Sequence, residues 1–142
     1  MALARCGYAR RVTRDQLADW LRRYEAAWRA PGTDSLARLF TTDASYRTDP
    51  FEEPCSGLQA IEEMWEAERD GPDEQFEMRW EIVAVEGDTG VVRLEVDYGV
   101  PLEQRFRDLW VVVLHQDGLC SSFEEWPFWP PESRGEWPRD NG

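Results

Sequence analysis

The stretch from Tyr46 to Gly57 sets one carboxylate, Asp49, directly before Pro50 and between the aromatic residues Tyr46 and Phe51. Apolar rings beside a carboxylate strengthen it as a base, which is what a general base requires. Two further proton-handling side chains occupy aromatic-rich segments. Tyr24 lies between Trp20 and Trp28 at helical spacing, so its phenol shares a face with both indoles. Asp108 alternates with Phe106, Trp110, Val112 and Leu114 at strand spacing, which puts a carboxyl group on an apolar face. A carboxyl group there is costly when charged. It either pairs, with Arg47, Arg105 or Arg107 as candidates, or keeps its proton and donates a hydrogen bond. Asp49, Tyr24 and Asp108 together suit proton transfer next to a carbonyl, with a base to take the proton and donors to hold the enolate oxygen. Each also has a structural reading: Asp49 as a turn initiator, Tyr24 as a core tyrosine and Asp108 as half of an ion pair.

Absences narrow the chemistry further. All 16 basic residues are Arg, so lysine Schiff bases and phosphate-loop lysines are excluded. His115 is the only histidine and ends the apolar run from Trp110 to Leu114, which fits a strand end and leaves no multi-histidine metal site. Cys6, Cys55 and Cys120 form no close pair and read as free thiols in a reducing compartment. No metal or cofactor is expected. The net charge of −13 opposes binding to nucleic acid or an anionic membrane. No apolar run approaches the roughly 18 residues that span a bilayer, and a cytoplasmic protein is expected.

The elements that must position these residues are legible in outline. Residues 1–12 read as a loose lead-in, 13–130 as one domain and 131–142 as a mobile tail with a possible anchor at Trp137. Thr13 with Gln16 forms a capping-box pattern ahead of a helix from Arg14 to Ala30, ended by Pro31-Gly32. A short second helix is predicted after Thr33 or Asp34, with Leu36, Leu39 and Phe40 inward, and then an extended piece from Ala44 to Arg47. Ser56 can cap a third helix carrying Leu58, Ile61, Met64 and Trp65, stopped by Gly71-Pro72. Four strands follow with period two: Phe76 to Glu86, Gly90 to Tyr98, Gln104 to His115 and Leu119 to Trp126. They are joined in pairs by the turns Gly87-Asp88-Thr89 and Gln116-Asp117-Gly118. Helices first and strands later make an α+β domain, with three N-terminal helices packed on a curved antiparallel sheet.

The ordered set Tyr24, Leu36 to Phe40, Asp43-Ala44, Asp49-Pro50, Gly57, Ala60-Ile61, Asp108 and Gly118 resembles the nuclear transport factor 2-like superfamily. This is the cone-shaped, cystatin-like α+β fold of ketosteroid isomerases and SnoaL-like polyketide cyclases, and the resemblance runs from Leu17 to Pro130. It implies a ketosteroid isomerase-like site with Asp49 as general base, Tyr24 in the oxyanion hole and Asp108 as a second, protonated acid. It also implies a pocket for a small organic ligand, lined by Trp20, Trp28, Tyr46, Phe51, Trp65, Trp110, Phe123 and Glu125. Glu125 departs from the isomerase pattern, because steroid-binding members keep a small or apolar residue on that face. Unless Arg47 or Arg93 pairs with it, a carboxylate there opposes a hydrocarbon skeleton and favours a smaller, more polar ligand carrying a cationic or hydrogen-bond-donating group.

The resemblance also implies a homodimer through the open sheet face, with Arg93, Glu95 and Asp97, or Glu124 and Trp126, as candidate contacts. Limonene epoxide hydrolases need an Asn and scytalone dehydratases more than one His, and neither requirement is met before position 141. SnoaL-like cyclases use a strand aspartate as base, a place Asp108 would fill. The alternative is a non-catalytic ligand-binding or dimeric interaction module in which the same residues are structural.

Overall fold

A computed structural model describes residues 11–69 and 74–131. The expected tail from residue 132, the start of the lead-in and the Gly71-Pro72 stop lie outside the described residues. Val12, assigned to the lead-in, is buried in the core, and its amide donates to Gly87 O at 2.8 Å.

Helix α1 spans Arg14–Arg29. Its first turn is closed by the Thr13–Gln16 box, with Gln16 N donating to Thr13 Oγ1 at 3.1 Å and Thr13 N to Gln16 Oε1 at 2.9 Å. Leu17, Trp20, Leu21, Tyr24 and Ala27 form its buried stripe. The helix ends at Ala30, which is extended because Pro31 crowds the residue before it. A single 3-10 turn, Asp34–Arg38, replaces the predicted second α-helix. Five residues are too few to propagate an α-helix, and Phe40 already belongs to strand β1, Phe40–Arg47. A two-residue strand, β2 (Cys55–Ser56), precedes helix α2, Leu58–Glu68. Ser56 is therefore not the cap. Gly57 fills that position at φ +94°, a conformation other residues rarely adopt. The described residues thus hold two α-helices, not three.

Strands β3 (Phe76–Glu86), β4 (Thr89–Tyr98), β5 (Gln104–Leu114) and β6 (Cys120–Phe128) form the predicted meander. The sheet is larger than four strands, with the order β2-β1-β6-β5-β4-β3 and β1 running parallel to β6. Register shifts at Ile82/Ala84 and Val113/Leu114 bend the long strands, as bulges do. Both helices cover one face, where Val92, Leu94, Trp110, Val112, Leu114 and Phe123 are buried. Helix α1 comes so close to β4 that a Cβ at Gly90 would stand 2.3 Å from Leu17 Cδ2. The opposite face carries ion pairs, in which Asp97 meets Arg79 at 3.3 Å and Arg105 at 3.1 Å.

Candidate active site

Residues from α1, β1, α2 and all four long strands line a cavity of about 490 Å³. Its buried end is made by Tyr24, Tyr46, Asp108 and Trp110. The exposed Glu68 and Glu103 mark its open end.

The two phenols form a pair, with Tyr24 Oη and Tyr46 Oη 2.7 Å apart. Either hydroxyl can donate. Whichever accepts keeps its own O–H free for a third group, so the pair always has one donor to offer. The Tyr24 ring packs 4.7 Å from Trp110 and 5.1 Å from Trp65, which holds its position. Burial pushes both phenols far above the ordinary tyrosine range, so they stay protonated.

Beside them stand two carboxyl groups. Asp108 lies opposite Pro127 and Glu125 opposite Trp110, so the two acids are diagonal neighbours on the inner face of the β5–β6 ladder. Asp108 is 5% exposed. Its Oδ2 accepts the Trp110 indole N–H at 3.3 Å, and among the described residues no N–H or hydroxyl reaches its Oδ1. The side chain beside it, Glu125, can donate only in its acid form.

Burial raises the pKa of both acids. Glu125 is pushed well above the carboxylate range by burial and by the neighbouring Asp108. Asp108 is raised by burial, with hydrogen bonds from Glu125 and Trp110 acting in the opposite direction. Asp108 therefore ionises first and Glu125 holds the proton, as expected when two carboxyl groups share one site. No arginine among the described residues joins them. Arg47 donates to Glu52 O, Arg93 pairs with Glu81, and Arg105 and Arg107 serve Asp97 and Glu95 on the other face.

Of the residues singled out from the sequence, Tyr24, Trp28, Tyr46, Asp108, Trp110 and Glu125 line this cavity. Trp20, Trp65 and Phe123 are instead fully buried core, with the Trp20 indole N–H bound to Leu39 O at 2.9 Å. Phe51 is 96% exposed, so it neither lines the cavity nor sandwiches Asp49. Asp49 is not a lining residue. Its Oδ1 accepts Phe51 N at 2.8 Å and its carbonyl accepts Glu52 N at 3.3 Å, a local turn in which the carboxylate serves its own backbone. Its neighbour Thr48 does reach the cavity. Sequence reasoning passed over Glu68, Glu74 and Glu103. The latter two lie between elements, where no helical or strand periodicity could signal that they line the cavity.

Residues 21–122 match the family model of the SnoaL-like domain. Among solved structures, one from Jannaschia sp. CCS1, provisionally described as a SnoaL-like polyketide cyclase, superposes with a TM-score of 0.65 at 16% identity. That match covers 80% of this chain and 85% of that one. A protein from Agrobacterium tumefaciens, provisionally described as an isomerase of the SnoaL-like family, gives a TM-score of 0.64 at 18% identity over 80% of this chain and 98% of that one. A protein of unknown function with a cystatin-like fold from Methylobium petroleophilum gives 0.63 at 13% identity, covering 84% and 80%. These likenesses show a shared fold. A comparison with curated proteins finds no match.

Proposed function

Since the chain belongs to the SnoaL-like domain family, we propose that it binds a small organic molecule in this cavity and moves a proton next to a carbonyl, as a cofactor-free isomerase or cyclase. The observation that supports this is the meeting of an acid pair and a phenol pair on one cavity wall. Asp108, ionised, takes the proton from the carbon beside the carbonyl. The electron pair moves onto the carbonyl oxygen, where the free O–H of the Tyr24–Tyr46 pair and the Glu125 acid can donate. Return of the proton from Asp108 to another carbon completes an isomerisation. Attack of the enolate carbon on a second carbonyl completes a cyclisation, with the proton passing to the new alkoxide. The donors are fixed before substrate arrives, so little reorganisation opposes the reaction.

This reading gives the base role to Asp108 and leaves Asp49 to shape the turn beside Thr48. The test is conversion of a β,γ-unsaturated ketone to its conjugated isomer. Wild type and Asp49→Asn should turn over, and Asp108→Asn should not. Loss of turnover in Asp49→Asn with Asp108→Asn unaffected would reverse the assignment. Absence of turnover with any ketone, alongside a retained small molecule in native mass spectrometry, would favour the binding-only module.

The same reading includes a second copy of the chain on the open sheet face. Leu109 and Trp126 are register partners there, 43% and 39% exposed, beside Phe128 at 61%. An apolar strip of this kind next to the ion pairs of β3 and β4 suits a self-complementary contact.

A further inference from the structure

Two buried carboxyl groups that share one proton are chemically alike, yet the proposed reaction needs the charge on one of them. Something must break the symmetry. Among the described residues, the N–H that bonds to the pair is the indole N–H of Trp110, which donates to Asp108 Oδ2 at 3.3 Å. Its place follows from the sheet. Trp110 is two residues from Asp108 on β5, so both side chains face inward, and its register partner on β6 is Glu125.

Packing keeps that N–H where it is. Trp110 is buried, and its ring centroid stands 4.7 Å from Tyr24 and 4.8 Å from Phe123. An indole donates and never accepts, so it serves a carboxylate better than a carboxylic acid. A hydrogen bond to an ionised acceptor is about twice as strong as a neutral one. The other titratable groups around the pair are the hydroxyls of Tyr24, Tyr46 and Tyr98, from α1, β1 and β4, with Glu68, Glu74 and Glu103 on the cavity lining. None of them carries a positive charge. Glu125 also feels the Trp110 N–H, but burial and the neighbouring Asp108 outweigh it there. At Asp108 the Glu125 acid and the Trp110 indole act together in favour of the charged form.

We propose that Trp110 is a positioning residue of this site: its indole N–H, seated on Asp108, holds the single negative charge of the acid pair there and leaves the proton on Glu125. This rests on the reading of Asp108 as the base and adds what assigns it that role. The N–H stays on the indole throughout. When Asp108 takes a proton from the substrate, the charge leaves and the bond from Trp110 weakens to an ordinary neutral one.

Carboxyl-carbon NMR of the full chain follows the ionisation of Asp108 and Glu125, with Asp108→Asn and Glu125→Gln identifying the two signals. The informative variant carries 3-benzothienylalanine in place of Trp110, because sulfur replaces the N–H while the bicyclic shape is kept. In wild type the first ionisation should move the Asp108 signal and the second the Glu125 signal. In the variant the first ionisation should rise by about one pH unit, a tenfold weaker acid, and both signals should move in both steps. An Asp108 signal that titrates as in wild type would overturn the proposal, since the ring alone would then suffice. Should the variant fail to fold, the Trp110 indole proton of the wild type decides. It should shift downfield through the first ionisation, and a resonance flat through that step would overturn the proposal as well. Neither measurement needs a substrate. A shifted titration in a protein that converts no ketone would uphold the hold of Trp110 on the charge and remove the proposed reaction. Turnover with the same acid limb in wild type and variant would keep the reaction and remove Trp110 from it.

Discussion

The carboxyl groups of Asp108 and Glu125 are diagonal neighbours across the β5–β6 ladder, and no arginine among the described residues joins them. Removal of a neighbouring cation would leave two buried acids repelling each other. Here a shared proton does the work of the cation, and it makes one group a base and the other an acid.

The first consequence is a pH dependence of stability. Both folded-state pKa values are raised, Glu125 far more, so the folded chain keeps a proton that the unfolded chain releases above about pH 4.3. The contribution is fully present below that pH and is lost as pH rises through the folded pKa of Glu125. Glu125→Gln should remove the Glu125 part of this slope, the larger one, and stabilise the protein at pH 8 by on the order of 1–2 kcal/mol. Urea midpoints of wild type and variant between pH 4 and 9 check it. Parallel curves would mean that the two carboxyls do not share a proton.

Turnover should carry the same signature. It requires Asp108 ionised and Glu125 protonated, so the rate should rise with the first ionisation and fall with the second. In Glu125→Gln the alkaline fall should disappear, while the acid limb persists. Asp108→Asn should lose about 10²- to 10⁴-fold in kcat.

Tyr24 and Tyr46 should not be equivalent to a double loss. Tyr24→Phe removes one donor and leaves Tyr46 to supply the other, so kcat should fall about 10²-fold with KM little changed. Replacing both should cost more than either alone. A double variant no slower than Tyr24→Phe would exclude Tyr46 from supporting the enolate oxygen.

Gly90→Ala tests the approach of α1 to the sheet. A Cβ 2.3 Å from Leu17 Cδ2 forces the helix or the Leu17 rotamer to move, at about 1–3 kcal/mol. The thermal midpoint should fall by several degrees. Leu17→Ala combined with Gly90→Ala should recover part of the space and show positive coupling in a double-mutant cycle.

On the open face, Trp126→Glu should convert a dimer to monomer in sedimentation velocity without lowering turnover, since Trp126 does not line the cavity. A wild type that sediments as a monomer at high concentration would remove the second copy from the proposal.

Several of these relationships were legible before the structure. The capping box at Thr13 and the aromatic stripe of α1 follow from local pattern, and the four long strands follow from strict alternation. Tyr24 and Asp108 stood out because a polar group on an apolar face must be satisfied somehow. The short turn at Asp34–Arg38 did not declare itself as 3-10, because its apolar spacing suits either helix and the choice depends on how soon β1 begins. Asp49 drew attention through its proline and flanking rings, yet a side chain one residue from a cavity wall can turn either way. In this protein it turns back onto its own backbone.

Composition and periodicity alone determined the α+β class, the apolar-face parity of Asp108 and the absence of lysine chemistry, because these depend only on residue type and spacing. Which acid faces which, and the acids that line one hollow with no cation among its described lining residues, was decided by tertiary structure. Antiparallel register brings Asp108 and Glu125 together from positions 17 residues apart, and the end of α2 and the residues just before β3 and β5 bring the other carboxyls to the same space. Charge interactions depend on distance in three dimensions and the burial around them, and neither is written in the order of the residues.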